Sequence, residues 1–526
     1  MAWTTASDTN HRSAHRTDRQ LRAIIITALL LAFAVRVAVM LAFPNILHPD
    51  EIFQVLDPAH KLVFGTGIVP WEFKLGIRSW IFPGAAAAIM AAVSWVSTVP
   101  GIATTVIATL MVLSSLSVVY CGTMWGYQAR GLVGAICCGL LTATWFELIL
   151  FAPHTLSEVW AAHVLVVGLY LGAVSGSSPS STRLFLAGLC FGLTFVLRFH
   201  IAPALVVAAF FCARQRPRSE QVIFVLGVCI PVAFAGLLDW VTWRTPFQSI
   251  WLNVYVNIFD NVARDFGSLP IYGYLDMQGL HWSGAFMVVV ACCAIGASRL
   301  PAICAVAVTV FVTMSLIGHK EYRFLYPALV FVPILAGVGT AEIVAWYTRH
   351  SGRQRLPLLA ACLFWVCTSF LLAEGPAYRP YWGENRGKVL AFRAAAKEPD
   401  LCGLGLVDVP WWFTPGTSGL PDRVEIAGPI SAGQLLHYDS AFNALIAPRG
   451  VSINDSRFTQ TACWRDGANR MGQSIHPDIC LWERPGRCDG TVAPPSQDFW
   501  PDPLASRYRG TCPEGLLCNR LQRDRP

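Results

Sequence analysis

Twelve apolar runs, at about residues 21–43, 80–98, 101–120, 131–151, 157–175, 183–198, 200–213, 221–243, 280–297, 299–317, 324–347 and 356–374, leave this chain few architectures. A spanning helix needs roughly 20 apolar residues, and backbone inside lipid must satisfy its own hydrogen bonds, so such a succession specifies a polytopic helical membrane protein. Only 13% of the 526 residues are charged, about half the share of an average soluble domain. The net charge of +7 forms no basic stripe interleaved with aromatics, which argues against a nucleic-acid partner and for basic loops.

Those loops orient the chain. His11, Arg12, His15, Arg16 and Arg19 precede the first run, which is longer than a signal-peptide core and has no small-residue cleavage site behind it. It reads as a retained anchor with its N-terminus in the cytoplasm. Arg214, Arg216 and Arg218 mark one cytoplasmic loop, and Arg349, Arg353 and Arg355 another. Counting back from Arg349 places 244–279, the turn 319–323 and the tail after 374 on the outer face.

Two solutions fit the first half. In one, 80–98 spans and 183–213 is a single crossing, which leaves Arg130 outside. In the other, the Ala-rich 80–98 helix lies against protein on the outer side, 183–198 and 200–213 are two short crossings, and Arg130 is cytoplasmic. The second obeys the charge rule better and gathers the polar clusters on one face, with about 11 crossings. The expected domains are a cytoplasmic basic tail (1–20), a transmembrane domain (21–374) with its first outer loop at 44–80, and an extracytoplasmic soluble domain (375–526). In that last part 403–409 and 444–447 read as strands of a small mixed α/β fold. Eleven of the 17 cysteines lie in or beside apolar runs, where cysteine is a small buried hydrophobe. The other six, Cys402, Cys463, Cys480, Cys488, Cys512 and Cys518, suggest disulfides on an oxidising face, with the pairing open.

Two charged clusters stand at the outer surface. Asp50 and Glu51 follow the first span directly, where partial desolvation raises a carboxyl toward the range a general base needs. The competing reading of that Pro-Asp-Glu is a helix start capped by Asp50. Lys61, Lys74 and Arg78 follow on the side where the charge rule disfavours cations, with Trp71 and Trp80 as interfacial aromatics. The second cluster is His319, Lys320, Glu321 and Arg323, whose cations suit a lipid phosphate. Arg198 and His200 lie between two short apolar runs, where charge is expensive. His154 and Glu158 flank a turn that suits an ordinary helix cap. Asp239, Asn253, Asn257, Tyr272 and Tyr274 belong to outer loops that suit sugar contacts. No Walker loop, metal-spaced cluster, nucleophile elbow or dinucleotide fingerprint is present in the sequence.

The segments HPDEIFQ at 48–54, WEF at 71–73, IRS at 77–79 and HKEYRFLYP at 319–327 closely resemble glycosyltransferase family 22, the lipid-phosphate-mannose-dependent mannosyltransferases. The resemblance is strongest to the branch acting third in glycosylphosphatidylinositol assembly and its bacterial relatives. It covers roughly the first 350 residues. It implies a GT-C membrane fold and inverting transfer from a polyprenyl- or dolichyl-phosphate mannose to a glycolipid or lipid-linked glycan acceptor. It further implies no nucleotide-sugar site, no resident metal and no cofactor. Carried onto this chain, Asp50 is the expected base and Glu51 its catalytic neighbour, with His319, Lys320 and Arg323 on the donor-phosphate side. Arg78 and Arg198 join those cations as candidates, and His48, Gln54, Trp71, Glu72, His154, Glu158 and Tyr272 are candidates for substrate contacts. The site is expected at the periplasmic face of an inner membrane in a bacterium, or the luminal face of the endoplasmic reticulum in a eukaryote. Where the family tends to show Arg-Thr-Leu-Ser-Asn, this chain has His154 through Glu158, so that turn departs from the pattern.

Two other classes compete. A flippase or transporter for a lipid-linked sugar predicts charges at mid-membrane and repeat symmetry. A cell-envelope glycan assembly scaffold makes the cysteine-containing tail the working part.

Overall fold

Apolar composition over 20 or more residues produces long helices, and these make up most of the chain in the computed structural model, which describes residues 5–173, 180–467 and 478–488. Cys512 and Cys518 lie outside the described residues, as do the side chains of His11, Arg12 and His15. Helices Thr5–Ala42, Arg218–Thr242 and Arg355–Glu374 are long and apolar enough to cross a membrane, as is the stretch Gly273–Ala297. Two broken pairs add to them: Ser181–Leu197 with Phe199–Ala213, bent by 119°, and Tyr322–Leu329 with Val332–Ser351, bent by 42°.

The stretch Ile102–Thr144 is two helices. Arg130 and Gly131 leave the helical conformation, Gly131 at φ 56°, which favours glycine. A Cβ on Gly126 would lie 2.3 Å from the carbonyl oxygen of Gly134, and one on Gly139 would lie 2.9 Å from Thr123 Oγ1. In one continuous helix residues 126 and 134 would stand about 12 Å apart, so the chain folds back as a hairpin whose seam is made of small residues. At the turn Arg130 pairs with Glu342, which also accepts from Arg299 Nε at 2.7 Å. Arg130 shares a groove there with Arg349 and Gln354. Arg130 and Arg349 therefore sit at one end of the bundle. The Ala-rich helix Ile81–Ser94 has 14 residues, about 21 Å of helix, short of a span.

One charge inside the bundle is structural. Arg36, fully buried on the first helix, donates to the carbonyl oxygens of Ala143 (3.1 Å) and Thr142 (2.9 Å). Those carbonyls end a helix that breaks at the extended residue Trp145, so the guanidinium satisfies acceptors the helix leaves open.

The tail forms a five-stranded mixed sheet of β1 (Gly403–Val407), β2 (Glu425–Ile430), β3 (Ala444–Pro448), β4 (Thr459–Trp464) and β5 (Ile479–Glu483), in the order β2-β1-β3-β5-β4. β1 runs parallel to β2 and β3, while β5 runs antiparallel to β3 and β4. The two strands expected from sequence are β1 and β3. Disulfides Cys402–Cys488 and Cys463–Cys480 account for four of the six tail cysteines; the second joins facing residues of β4 and β5.

The tail is not hung from the bundle by a linker. Its inner face, including Val389, Phe392, Leu404 and Ile446, builds one apolar core with Phe53, Val55, Ala59 and Ile68 of the 44–80 loop and Ala86 and Met90 of the Ala-rich helix. Asp57 locks this contact: its carboxylate accepts from the backbone N–H of Ile68 (3.1 Å), Thr417 (3.3 Å) and Ser418 (3.1 Å). Thr66 Oγ1 donates to the carbonyl of Asp422 at 2.7 Å.

Two outcomes follow from this packing. Asp57→Ala strands three N–H donors at a buried contact, at about 1–3 kcal/mol each; limited proteolysis should then open the 413–420 segment, and the thermal transition in detergent should fall. Gly126→Val forces the hairpin apart, and detergent size-exclusion chromatography should show loss of the monodisperse species.

Candidate active site

The site begins where the first span ends. His48 is extended (φ −154°) and caps the short helix Pro49–Glu51, its Nδ1 accepting from the backbone N–H of Asp50 at 3.2 Å. Proline in the first turn needs no N–H there, so His-Pro-Asp-Glu is a helix start in which His48, not Asp50, is the cap. Glu51 closes the box: Oε1 accepts from the N–H groups of Leu47 (2.7 Å) and His48 (3.3 Å). Its Oε2 meets His154 Nδ1 at 2.6 Å, and its carbonyl accepts from Thr155 Oγ1 at 2.9 Å. Successive helical residues point about 100° apart, so Glu51 faces the bundle while its neighbour Asp50 faces outward into a cavity.

That cavity is lined by Asp50, Gln54, Arg78, Arg198 and Arg323, with Ser249 and Asn253 from the helix Gln248–Val254. The two sequence clusters meet directly, since Arg323 Nη2 donates to Asp50 Oδ2 at 2.7 Å. Asp50 Oδ1 lies 3.3 Å from His48 Nδ1. Arg323 is only 7% exposed in its side chain and also pairs with Glu158 (3.2 Å) and Glu321. Glu158 in turn holds Arg198 at 3.0 Å. Both guanidiniums lie over the Phe324 ring, at 4.8 and 4.9 Å from its centroid, which adds cation–π attraction. Arg78 is the least committed of the three, its nearest carboxylate being Glu72 at 3.9 Å. Glu72 accepts from Gln54 Nε2 at 3.0 Å, and burial pushes its carboxyl up against the pull of Arg78.

Behind Asp50 the charges continue outward. His48 Nε2 lies 3.1 Å from Glu321 Oε2, whose other oxygen meets His319 Nε2 at 2.8 Å, and His319 Nδ1 donates to the carbonyl of Gly267 at 3.0 Å. Burial raises the Asp50 carboxyl, but Arg323, His48 and Arg78 outweigh it and hold the group well below the usual carboxylate range. The raised value expected from sequence is therefore corrected: desolvation is present, and neighbouring cations overcome it. For His48, burial and Arg323 push the ring down while Glu321 and Asp50 push it up, and the balance leaves it at about 9.

Several expected site residues are placed elsewhere. Glu51 and His154 are a buried clamp between two segments, and neither lines the cavity. His154 and Glu158 do not cap the helix Ser157–Gly172, whose first residue follows Leu156 with no side-chain cap; Glu158 is spent on the arginines. Lys320 donates to the carbonyls of Leu269 (3.2 Å) and Ile317, tying two turns together. It does not line the cavity. His319 does not line the cavity; it joins the network through Glu321 and packs edge-on to Phe324 at 5.9 Å. Trp71 stacks on Phe266 in a small cluster with Leu75, Ile77, Val256 and Val262. Tyr272 is exposed at the start of the helix Gly273–Trp282. Sequence reading gave no role to Glu321, which joins Arg323, His48 and His319, nor to Ser249. The usable signal was a carboxylate inside a cationic run, since a buried acid there needs partners on several sides.

Comparison with known proteins gives the fold and the family. ArnT from Cupriavidus metallidurans bound to undecaprenyl phosphate is similar at a TM-score of 0.56 and 11% identity, covering 90% of this chain and 99% of that one. Its apo state gives 0.52 at 12% identity, over 87% of this chain and 97% of that one. At such identity the likeness shows the fold, that of the GT-C membrane glycosyltransferases. GPI mannosyltransferase 3 of Yarrowia lipolytica is 27% identical over 331 residues, 60% of this chain and 61% of the relative. GPI alpha-1,2-mannosyltransferase 3 of Danio rerio is 23% identical over 383 residues, 66% of each chain. The human protein of that name is 24% identical over 365 residues, 64% of this chain and 62% of its own. The chain thus spans 61–66% of the length of these curated relatives. The family profile itself matches residues 27–376, which contain the cavity and every charged group around it, and the chain belongs to the Alg9-like mannosyltransferase family.

Proposed function

We propose that this chain is an inverting mannosyltransferase that moves mannose from polyprenyl- or dolichyl-phosphate mannose to a hydroxyl of a lipid-linked or lipid-anchored glycan at the outer membrane face. The observation that carries this reading is one cavity in which a single carboxylate, Asp50, stands among three guanidiniums, Arg78, Arg198 and Arg323. Family membership, the GPI mannosyltransferase relatives and the lipid phosphate bound by the similar ArnT all support it.

In this reading Asp50 accepts a hydrogen bond from the acceptor hydroxyl and takes its proton as the oxygen attacks the sugar C1. The C1–O bond to phosphate breaks, and the electron pair stays on the phosphate oxygen. The arginines stabilise that oxygen, Arg78 foremost because its donors are least occupied. A carboxylate held this far down is a weak base at rest. An arriving phosphate competes for Arg323, and each hydrogen bond it draws off Asp50 raises that group's proton affinity. Base strength is thereby coupled to donor binding. Metal ions and cofactors have no part in these steps. The topology that accompanies the reading has eleven crossings, residues 44–80 as the outer catalytic loop and 375–526 as the outer domain.

Asp50→Asn keeps the side-chain shape and removes the base. In membranes expressing it, transfer of radiolabelled mannose from polyprenyl-phosphate mannose to the endogenous glycolipid pool should fall by about 10²–10⁴. Wild-type turnover by correctly folded protein would remove Asp50 as the base. Arg78→Ala should raise the donor concentration for half-saturation by about 10- to 100-fold, as expected for a charge-assisted hydrogen bond of about 1.5–3 kcal/mol. Arg78→Lys, a point charge without the fork, should recover only part of that in the same assay.

A further inference from the structure

His48 does not line the cavity, although sequence reading placed it among the substrate contacts. It stands behind Asp50, and every charged group near it is accounted for: Asp50 on its own short helix, Glu321 and Arg323 on the turn that follows the helix Pro301–Leu316. Glu321 is itself held on its far side by His319, and Arg78 faces Asp50 from the cavity side. The two oxygens of Asp50 are thus steadied by different cations, Oδ2 by Arg323 and Oδ1 by His48. Only the first of these cations lines the cavity, so only it is open to competition from a phosphate.

We propose that His48 is the positioning residue of Asp50: its imidazolium, bracketed by Asp50 and Glu321, holds the carboxylate in place when the donor phosphate draws Arg323 away. This rests on the reading of Asp50 as the base. The ring has two separable duties. Neutral, its Nδ1 accepts the backbone N–H of Asp50 at 3.2 Å and caps the helix while Nε2–H donates to Glu321. Charged, Nδ1 carries a proton and can no longer accept, so the ring gives up the backbone N–H of Asp50 and donates instead to Asp50 Oδ1, 3.3 Å away. A ring raised to about 9 stays charged through neutral pH and loses its proton above that value, so the hold on Asp50 is present below about pH 9 and lost above it. Asparagine performs the first duty and not the second, because it caps helices well and carries no charge.

The test is the pH profile of radiolabelled mannose transfer from polyprenyl-phosphate mannose in membranes carrying wild type, His48→Asn, Glu321→Gln or Asp50→Asn, each checked for folding by size exclusion in detergent. Wild type should show an alkaline limb near pH 9. His48→Asn should turn over about 10- to 100-fold more slowly, with little change in the donor concentration for half-saturation and no alkaline limb, since a misplaced reacting group costs on that order. Glu321→Gln keeps a hydrogen-bond acceptor but removes a charge that raises the ring, so the limb should move to lower pH. A His48→Asn enzyme with wild-type rate and limb, or a Glu321→Gln enzyme whose limb stays in place, overturns the positioning role. Should His48→Asn fail to fold, the Glu321→Gln limb decides alone. Activity in Asp50→Asn would overturn the base assignment instead, so the two failures are distinguishable.

Discussion

Arg323 carries the architecture of the site. A guanidinium 7% exposed needs anions around it, and it has three: Asp50 from the segment after the first helix, Glu158 from the start of the helix Ser157–Gly172 and Glu321 from its own turn. Removing one partner from a buried ion pair costs about 3–5 kcal/mol, because the other charge is left without compensation. The three segments are therefore held together by a requirement of charge balance as much as by apolar packing. Phe324 beneath Arg323 and Arg198 fixes the planes of both guanidiniums.

That balance also sets what the cavity accepts. Asp50, Glu158, Glu321 and Glu72 face Arg78, Arg198, Arg323 and His48, so most of the positive charge around the cavity is already paired. An anionic ligand is then favoured by local geometry and not by a surplus of positive charge. It must meet donors already oriented but incompletely used, and Arg78 is the clearest of them. The arrangement fits preorganised electrostatic stabilisation, in which dipoles and charges are set before the reacting group arrives.

Much of this was legible in the residues. Apolar runs gave the helices, Arg130 and Arg349 lie at one end of the bundle, and the 48–54 and 319–327 segments meet at Asp50 and Arg323. Division of labour inside each cluster was not legible. Asp50 and Glu51 are neighbours in sequence, yet one faces the cavity and the other a capping box, because helical geometry turns adjacent side chains apart. Lys320 and Arg323 carry the same charge, yet a local turn sends one to backbone carbonyls and the other to the site. Ser249 and Asn253 reach the cavity only through the fold, and nothing in their own segment distinguishes them from ordinary loop polarity. The partner of Asp57 lies some 360 residues away at Thr417 and Ser418, beyond any local pattern.

The core shared by the first outer loop and the tail has a consequence for biogenesis. Phe53, Val55 and Ile68 are made early, and their partners Val389, Leu404 and Ile446 only after the whole membrane bundle. At the usual 5–20 residues per second of synthesis, the loop waits roughly 15–70 s with its apolar face uncovered. During that interval the face needs a temporary cover, from the membrane surface or a chaperone. The 44–80 loop therefore completes its fold only when residues 389–481 have been made, and a chain truncated before them would leave the cavity segment without a floor.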